Sequence, residues 1–451
     1  MKNFEQYKKT IRFATVSVFG LVATLIYYFI WNAIYNTREV LEHRFFSKGQ
    51  LFIVVLYFVV LLIAEHFLGS ARIDELRKGE IIFSSVLALL FTNAIAYAQI
   101  CLVTAKLANP LGFLYILLAQ TAFLCLWAYA SFTVVHSLNP PEEMLIIFGS
   151  HQATEIVYKM SKIQERYVIK ESISVDEGSS AIIERINHYK SIVICDVPAR
   201  LRNDLLKYCY ENDKIIYVVP KISDILLCSA TDVTYFDSPL LKCGSEGLTV
   251  EQRLLKRIFD VCFSGLALLV LSPLFLIVAL CIKCYDRGPV FFKQKRYTRD
   301  MRLFDILKFR SMVVDAEKNG PQPAVKHDSR ITPIGRVIRA TRIDELPQLI
   351  NILKGDMSVV GPRPERVEYV EKYSEAIPEF HMRYKVKGGL TGYAQVYGKY
   401  NTKPYDKLKM DLIYIQNYSI ALDLKLMLMT IRIMFSLEST EGFKEKKEPG
   451  K

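Results

Sequence analysis

Ile258-Phe-Asp-Val-Cys-Phe-Ser-Gly-Leu-Ala-Leu-Leu-Val-Leu-Ser272-Pro273-Leu-Phe-Leu-Ile-Val-Ala-Leu-Cys-Ile-Lys-Cys284 is the stretch on which the architecture turns. As a helix it is long enough to span about 30 Å of hydrocarbon. Arg253, Lys256 and Arg257 precede it, and Lys283, Arg287, Lys293, Lys295 and Arg296 follow it. Basic flanks mark the cytosolic side, so both ends read as cytosolic. Ser272-Pro273 lies at its centre. Proline removes a backbone donor and clashes with the preceding turn, and a serine hydroxyl can satisfy the carbonyl this frees. The cheapest geometry is a broken helix that enters one leaflet and returns, a re-entrant hairpin. A kinked helix that crossed fully would put everything after residue 285 outside the cell, where the remaining sequence fits poorly.

Upstream, four apolar runs at roughly 11–34, 51–68, 81–105 and 111–135 are each long enough for a transmembrane helix, giving a four-helix region over 1–136. The first run is too long for a signal-peptide core, and further spans follow it. Lys2, Lys8, Lys9 and Arg12 ahead of the first span, and Arg72, Arg77 and Lys78 between the second and third, put the N-terminus in the cytosol. Arg38, Arg44 and Lys48 on the opposite side weaken that signal. The whole chain agrees with a membrane setting: 451 residues, 51% hydrophobic, with a mean hydropathy of +0.19. A formal charge of +12 points to an anionic partner. Nine cysteines, several in apolar runs, read as buried reduced thiols and not as a secreted disulfide framework.

From Met144 short apolar strands alternate with polar helical stretches: strands at Leu145–Phe148, Tyr167–Ile169, Ser191–Cys195 and Lys214–Val219, helices at 151–164, 179–189 and 200–212. This predicts a Rossmann-like parallel α/β domain over 137–250. Its first turn, Gly149-Ser150-His151-Gln152-Ala153, lacks two of the three glycines that bring backbone against a pyrophosphate, which argues against a catalytic cofactor there. Ligand sensing, or spacing and pairing of two copies as a homodimer, stay open.

Downstream, nine Lys/Arg against three Asp crowd residues 283–310. After a membrane hairpin most of them serve to hold lipid headgroups. Lys308 and Arg310 differ: they alternate with Leu307 and Phe309, so on a strand they share a face and form a phosphate clamp. Leu346, Leu349, Ile350 and Leu353 recur at helical spacing, with Pro347 fit for a first turn and Gly355 for the stop, which places Asp344 and Glu345 at a helix N-terminus. There the dipole favours phosphate, although an aspartate at this point can equally be a simple cap. Adjacent carboxylates on a helix point about 100° apart and can take separate roles, one as nucleophile and metal ligand, the other as base. Pro362-Arg363-Pro364 holds a guanidinium between two residues of fixed φ, which suits bidentate phosphate binding.

Lys308-Phe309-Arg310-Ser311-Met312, Asp344-Glu345-Leu346-Pro347-Gln348-Leu349, Gly355-Asp356-Met357-Ser358-Val359-Val360-Gly361-Pro362-Arg363-Pro364 and Gly389-Leu390-Thr391-Gly392-Tyr393-Ala394-Gln395-Val396 resemble, in order, the motifs of the bacterial sugar transferases, the monotopic phosphoglycosyl transferases. The resemblance covers about 251–436, and the segments ahead of it resemble those of the long family members, where they are not catalytic. It implies a mostly α (α+β) catalytic domain that moves a sugar 1-phosphate from a UDP-sugar to undecaprenyl phosphate, releasing UMP, as the initiating step of exopolysaccharide, capsule or related glycoconjugate synthesis. It further implies Asp344 as nucleophile forming a covalent phosphosugar, and Mg²⁺ held by Asp344 with phosphate oxygens. Glu345 would assist the second half-reaction, while Arg363 with Lys308, Arg310 and Arg342 would hold phosphates and Gln395 would form part of the nucleotide wall. The implied setting is the bacterial inner membrane, with the catalytic domain on its cytosolic face. Val386-Lys387-Gly388-Gly389 departs from the family's Arg-Pro-Gly, so that turn is expected to be looser.

Other classes fit less well. A membrane scaffold or sensor without transferase activity leaves Asp344-Glu345 and Pro-Arg-Pro without a use. A nucleic-acid binder would need aromatics interleaved with its basic patch or a base-reading helix. The seven histidines are scattered, and Cys281-x-x-Cys284 has no second pair, so a His/Cys metal site is unsupported and that thiol pair reads as buried packing. The charged tail 437–451 reads as disordered.

Overall fold

The computed structural model describes residues 4–41, 44–71, 73, 76, 78–138, 140–149, 153–161, 166–235, 237–244, 247–316, 328–399 and 402–434. It divides into two units, 1–220 and 221–451. In the first unit, α1 (Phe4–Ile34), α2 (Ser47–Leu68), α3 (Lys78–Thr104) and α4 (Leu111–Leu138) match the four expected spans, each long and apolar enough to cross a membrane. α1 packs on α2 and α4, and α3 packs on the same two, closing a four-helix bundle. Its interior is partly polar: Tyr57, Asn93 and Gln120 exchange hydrogen bonds at 2.8–3.0 Å. Such bonds hold spans together where apolar burial alone cannot.

The bundle leads into an α/β sheet: β1 (Glu142–Phe148), α5 (Ala153–Ser161), β2 (Tyr167–Ser174), α6 (Ser179–His188), β3 (Ser191–Cys195), α7 (Ala199–Glu211) and β4 (Ile215–Val218). All strand pairs are parallel, in the order β2-β1-β3-β4. Continuously buried strands such as Ser191–Cys195 are what a sheet covered on both faces requires. The first turn falls on Ser150, His151 and Gln152, which lie outside the described residues, as does the 437–451 tail.

The α/β pattern was expected to run to residue 250, and here the structure differs. α8 (Ile222–Cys228) and the antiparallel hairpin β5 (Thr231–Tyr235)–β6 (Ser238–Lys242) belong to the second unit. Ile222, Ile225 and Leu248 bury in its core with Leu349, Ile352, Val360, Leu408 and Leu412, and Ser229 donates to Gln416 at 2.9 Å. Burial of these three aliphatics, at about 1.5–3 kcal/mol each, sets the boundary at 220.

The second unit then runs through α9 (Val250–Asp286), the antiparallel pair β7 (Phe291–Tyr297) and β8 (Leu303–Phe309), α10 (Pro333–Ala340), α11 (Gln348–Lys354), β9 (Ser358–Val360), α12 (Val367–Ala376), β10 (Gly389–Thr391), α13 (Tyr393–Tyr397), α14 (Pro404–Gln416) and α15 (Ile420–Met434). α9 begins at a capping box, with Thr249 and Gln252 satisfying each other's backbone N–H, and stays helical through Pro273. The Leu269 carbonyl that proline leaves without a donor accepts from the Ser272 hydroxyl at 2.8 Å.

One side of α9 grips the rest of the unit. Lys256 donates to Asp423 at 2.5 Å and to Tyr414 at 3.1 Å. Arg257 donates to the Ile352 and Leu353 carbonyls, both at 2.6 Å, and Asp260 accepts from Ser358 and the Val359 N–H. Near its other end Val278 and Ile282 bury against Phe309 and Ile338. The opposite side exposes Leu254, Ile258, Leu266, Leu269, Leu276 and Leu280. Cys281 and Cys284 are exposed as well, so the expectation of buried packing fails: that pair sits on the apolar outer surface of α9. All nine cysteines are free, and of those in the apolar runs Cys125 and Cys262 are also exposed.

Candidate active site

β8 buries Phe304 and Ile306 on one face, and Lys308 continues that face at the strand's end. Asn351 of α11 zips the helix to this strand, accepting from Leu307 N–H at 2.9 Å and donating to the Asp305 carbonyl at 2.8 Å. The residues that lead into α11 are thereby carried to Lys308. Asp344 and Glu345 lie in a 3₁₀ turn, Ile343–Glu345, ahead of α11, with Pro347 as its N-cap and Gly355 closing it at φ +94°. The expected helix N-terminus is thus displaced by one short turn. Proline at 347 starts the α-helix later than the apolar spacing alone indicates.

The two carboxylates have different surroundings. Glu345 accepts from Lys308 Nζ and Arg363 Nη2, each at 2.9 Å. Burial would raise its pKa, but the Lys308 and Arg363 charges outweigh it and hold the carboxyl well below the usual glutamate value. Asp344 is 9% exposed, and its Oδ1 is buried without a hydrogen-bond partner. Burial raises its pKa, opposed by Lys308, Arg339 and Arg342. Burial likewise lowers the pKa of Lys308, with Glu345 pulling the other way. One carboxylate is therefore pinned and ionised, while the other keeps an uncommitted oxygen.

Lys308, Asp344, Glu345 and Arg363 converge. Arg342, in the left-handed region at φ +59°, stands exposed at the start of the 3₁₀ turn. Arg310 does not join them, which corrects the expected clamp with Lys308. β8 ends at Phe309, so the alternation that would aim 308 and 310 together stops one residue short. Arg310 is instead buried at the end of α9, both terminal nitrogens on Asp286 and Nε donating to the Pro289 carbonyl at 2.7 Å. Each of its three nitrogens already donates to a protein oxygen, so the guanidinium is held against Asp286 and Pro289 and away from the carboxylate pair.

The Pro362–Pro364 turn follows β9, which pairs in parallel with β10. Gly361 and Gly389 let the two backbones meet: a Cβ on Gly361 would lie 2.5 Å from the Lys387 carbonyl. The 386–389 segment is thus closely packed, contrary to the looser turn expected from its departure from Arg-Pro-Gly. Gln395 lies on α13 just beyond, with Oε1 buried and unpartnered. Ser272 and Pro273 lie within α9, which stays helical through them, so the expected break does not interrupt the helix and neither residue joins the site.

Among the described residues no three His, Cys, Asp or Glu side chains gather to hold a metal. A hard cation fits all the same, because Mg²⁺ characteristically takes one or two carboxylates and completes its shell with water and substrate phosphates. The free Asp344 Oδ1 is an oxygen of that kind.

Arg339, Asn351, Arg296 and Arg383 escape a sequence reading. Arg339 acts on Asp344, five residues on, but the other three act on partners distant in the chain, and of those only Asn351, polar on the buried side of an apolar helix, carries a local sign.

A charge-differentiated carboxylate pair with two cations, on a unit built around a long apolar helix, has the make-up of a candidate active site suited to an anionic ligand at a membrane. The chain belongs to the bacterial sugar transferase family, whose model matches residues 251–437. It is 42% identical over 186 residues to an exopolysaccharide production protein of Rhizobium leguminosarum bv. phaseoli, covering 39% of this chain and 93% of that one. It is 36% identical over 279 residues to the UDP-glucose:undecaprenyl-phosphate glucose-1-phosphate transferase of Klebsiella pneumoniae, covering 59% and 58%. It is also 42% identical over 185 residues to a UDP-N-acetylgalactosamine-undecaprenyl-phosphate N-acetylgalactosaminephosphotransferase of Aeromonas hydrophila, covering 40% and 44%. The chain thus spans about half the length of these two longer relatives.

Proposed function

We propose that this protein transfers a hexose 1-phosphate from a UDP-sugar to undecaprenyl phosphate, with release of UMP, on the cytosolic face of the bacterial inner membrane. The observation that carries the reading is the asymmetry of the adjacent carboxylates: a free buried oxygen on Asp344 beside a glutamate fixed by Lys308 and Arg363. The Asp344 carboxylate attacks the β-phosphorus of the donor, the bridging P–O bond breaks, and UMP leaves with that electron pair. An oxygen of undecaprenyl phosphate then attacks the same phosphorus and displaces Asp344, giving a lipid diphosphosugar. Lys308 and Arg363 hold phosphate oxygens, and Glu345 keeps both cations in register and assists the second step. Asp344 would hold Mg²⁺ with phosphate oxygens and water, the ion supplying charge neutralisation when bound.

In this reading α9 enters one leaflet and returns. Its start (Lys256, Arg257, Asp260) and its end (Ile282, Asp286) both contact the same unit, which supports an anchor that does not cross. The α/β sheet is Rossmann-like and non-catalytic, a spacer or homodimer element. The relatives' names divide between glucose and N-acetylgalactosamine, so the test is a panel of UDP-hexoses with undecaprenyl phosphate and Mg²⁺, read as UMP release. With acceptor withheld, donor label should remain on Asp344 after denaturation. A protein that turns over but never carries label would replace the covalent route with a single displacement.

A further inference from the structure

We propose that Arg383 and Arg296 are positioning residues for this transfer, fixing through the backbone of the Pro362-Arg363-Pro364 turn the place where the Arg363 guanidinium meets Glu345 and a donor phosphate. The proposal rests on the phosphate role given to Arg363 above. Pro362 and Pro364 have no N–H, so the turn can be held by its neighbours mainly through its carbonyls. Two consecutive carbonyls are held, each by a guanidinium from a different element. Arg383, in the 3₁₀ run Pro378–Lys385, donates to the Arg363 carbonyl at 2.9 Å. Arg296 of β7 donates to the Pro364 carbonyl at 3.1 Å, and its other terminal nitrogen is braced by Gln294 at 2.6 Å.

Arg383 is 1% exposed and is balanced by Asp411 of α14 at 2.8 Å, a side chain equally buried. Burying such a pair costs several kcal/mol per ion before their attraction is counted, and an apolar pair of the same volume is often as stable. Fold stability alone therefore does not account for it. What the pair supplies is a rigid, charge-strengthened donor aimed at one carbonyl. Arg363 needs one: its own side chain is 40% exposed, so packing does not set its direction, and the backbone it leaves from does. A displacement of about 1 Å there breaks the contact with Glu345, an error that can cost about a hundredfold in rate.

The test is a double-mutant cycle on the full chain in lipid nanodiscs. Its readouts are kcat/KM and the dissociation constant of whichever UDP-sugar supports UMP release, the second being measurable where turnover is lost. Arg383→Lys and Arg296→Lys should each lower kcat/KM by about 10- to 100-fold in the presence of Arg363, and by no more than about twofold in an Arg363→Ala background. Arg383→Met/Asp411→Leu removes both buried charges and should stay folded, yet lose as much as Arg383→Lys. Losses that multiply independently of Arg363 in both cycles, or undiminished activity in the folded Met/Leu variant, would overturn the positioning role. Undiminished activity and donor affinity in Arg363→Ala alone would instead refute the phosphate role beneath it.

Discussion

Replacing Glu345 with glutamine keeps the side chain's shape and removes the charge that Lys308 and Arg363 share. Both contacts are at 2.9 Å, but they are not equal: the Lys308 and Glu345 side chains are 20% and 14% exposed, that of Arg363 40%. Unit charges at such range attract by about 6 kcal/mol gross at an effective dielectric of 20, most of it offset by desolvation, and the better-solvated Arg363 arm adds no more than about 1 kcal/mol. Breaking one side of a buried pair leaves the other uncompensated, so a net loss of about 3 kcal/mol is expected. For a unit of this size that lowers the thermal midpoint by roughly 6–12 °C. A bound UDP-sugar brings its own negative charge to the two cations, so saturating donor should restore more stability to Glu345→Gln than it adds to the wild type. The pH dependence has a definite sign. A glutamate whose folded pKa is depressed contributes its stability above the ordinary value of 4.5 and loses it as pH falls through the folded value, so the gap between variant and wild type should close on acidification below that range. Thermal unfolding of the full chain in nanodiscs, with and without donor, reads all three effects. A midpoint within about 2 °C of wild type under every condition would refute the reasoning.

Asp344→Asn should abolish UMP release and lipid labelling while leaving the thermal midpoint unchanged or higher, because the charge it removes is buried beside an unpartnered oxygen. For the same reason the acidic limb of kcat/KM should lie above 3.8, the ordinary aspartate value, since in the proposed route Asp344 attacks as the carboxylate and burial raises its pKa. Arg310→Lys should lower stability by about 1–3 kcal/mol through its lost bidentate contact with Asp286, and should leave donor affinity within about twofold of wild type; a large affinity loss would return Arg310 to the phosphate site. Single cysteines placed between 290 and 434 in a cysteine-free chain should resist labelling from outside intact cells, and labelling there would make α9 a full crossing. A chain starting at Lys221 should keep transferase chemistry, whereas one starting after residue 245 should be markedly less stable, since it lacks Ile222 and Ile225.

Much of this architecture is written in local pattern. Four long apolar runs, an alternation of short apolar strands with polar helices and a Pro-to-Gly helical segment are signals a few residues wide, and each produced its element; the central Ser-Pro is as visible, but α9 runs through it unbroken. The border at 220 was not legible for a corresponding reason: Ile222–Cys228 continues the α/β rhythm, and only the burial of Ile222 and Ile225 against residues more than a hundred positions away assigns that helix to the second unit. Arg310 illustrates a finer limit. Alternation places it with Lys308, but the strand's last residue decides whether alternation still applies, and that is set by pairing with β7 and by Asp286. Arg383 is illegible in principle, since nothing near it in sequence marks its target as the carbonyl of Arg363, 20 residues earlier.

The carboxylate pair joins the two levels. Sequence places Asp344 and Glu345 side by side and implies that they diverge; it cannot say which of them is restrained. The fold settles this by bringing Lys308 from a strand and Arg363 from a turn to the same oxygen of Glu345. Those two cations would otherwise repel each other across a buried site, so Glu345 is what allows both to stay before any phosphate arrives. Asp344, whose Oδ1 is left unpartnered by the same arrangement, carries a raised pKa that makes its carboxylate more basic than a solvated one. Greater basicity favours attack on phosphorus, and the nearby Arg339 and Arg342 charges, with those of Lys308, limit the rise so that the ionised form remains accessible. Exchanging the two residues, Asp344→Glu with Glu345→Asp, preserves the total charge but shortens the arm that reaches both cations. It should therefore lose UMP release as completely as Asp344→Asn.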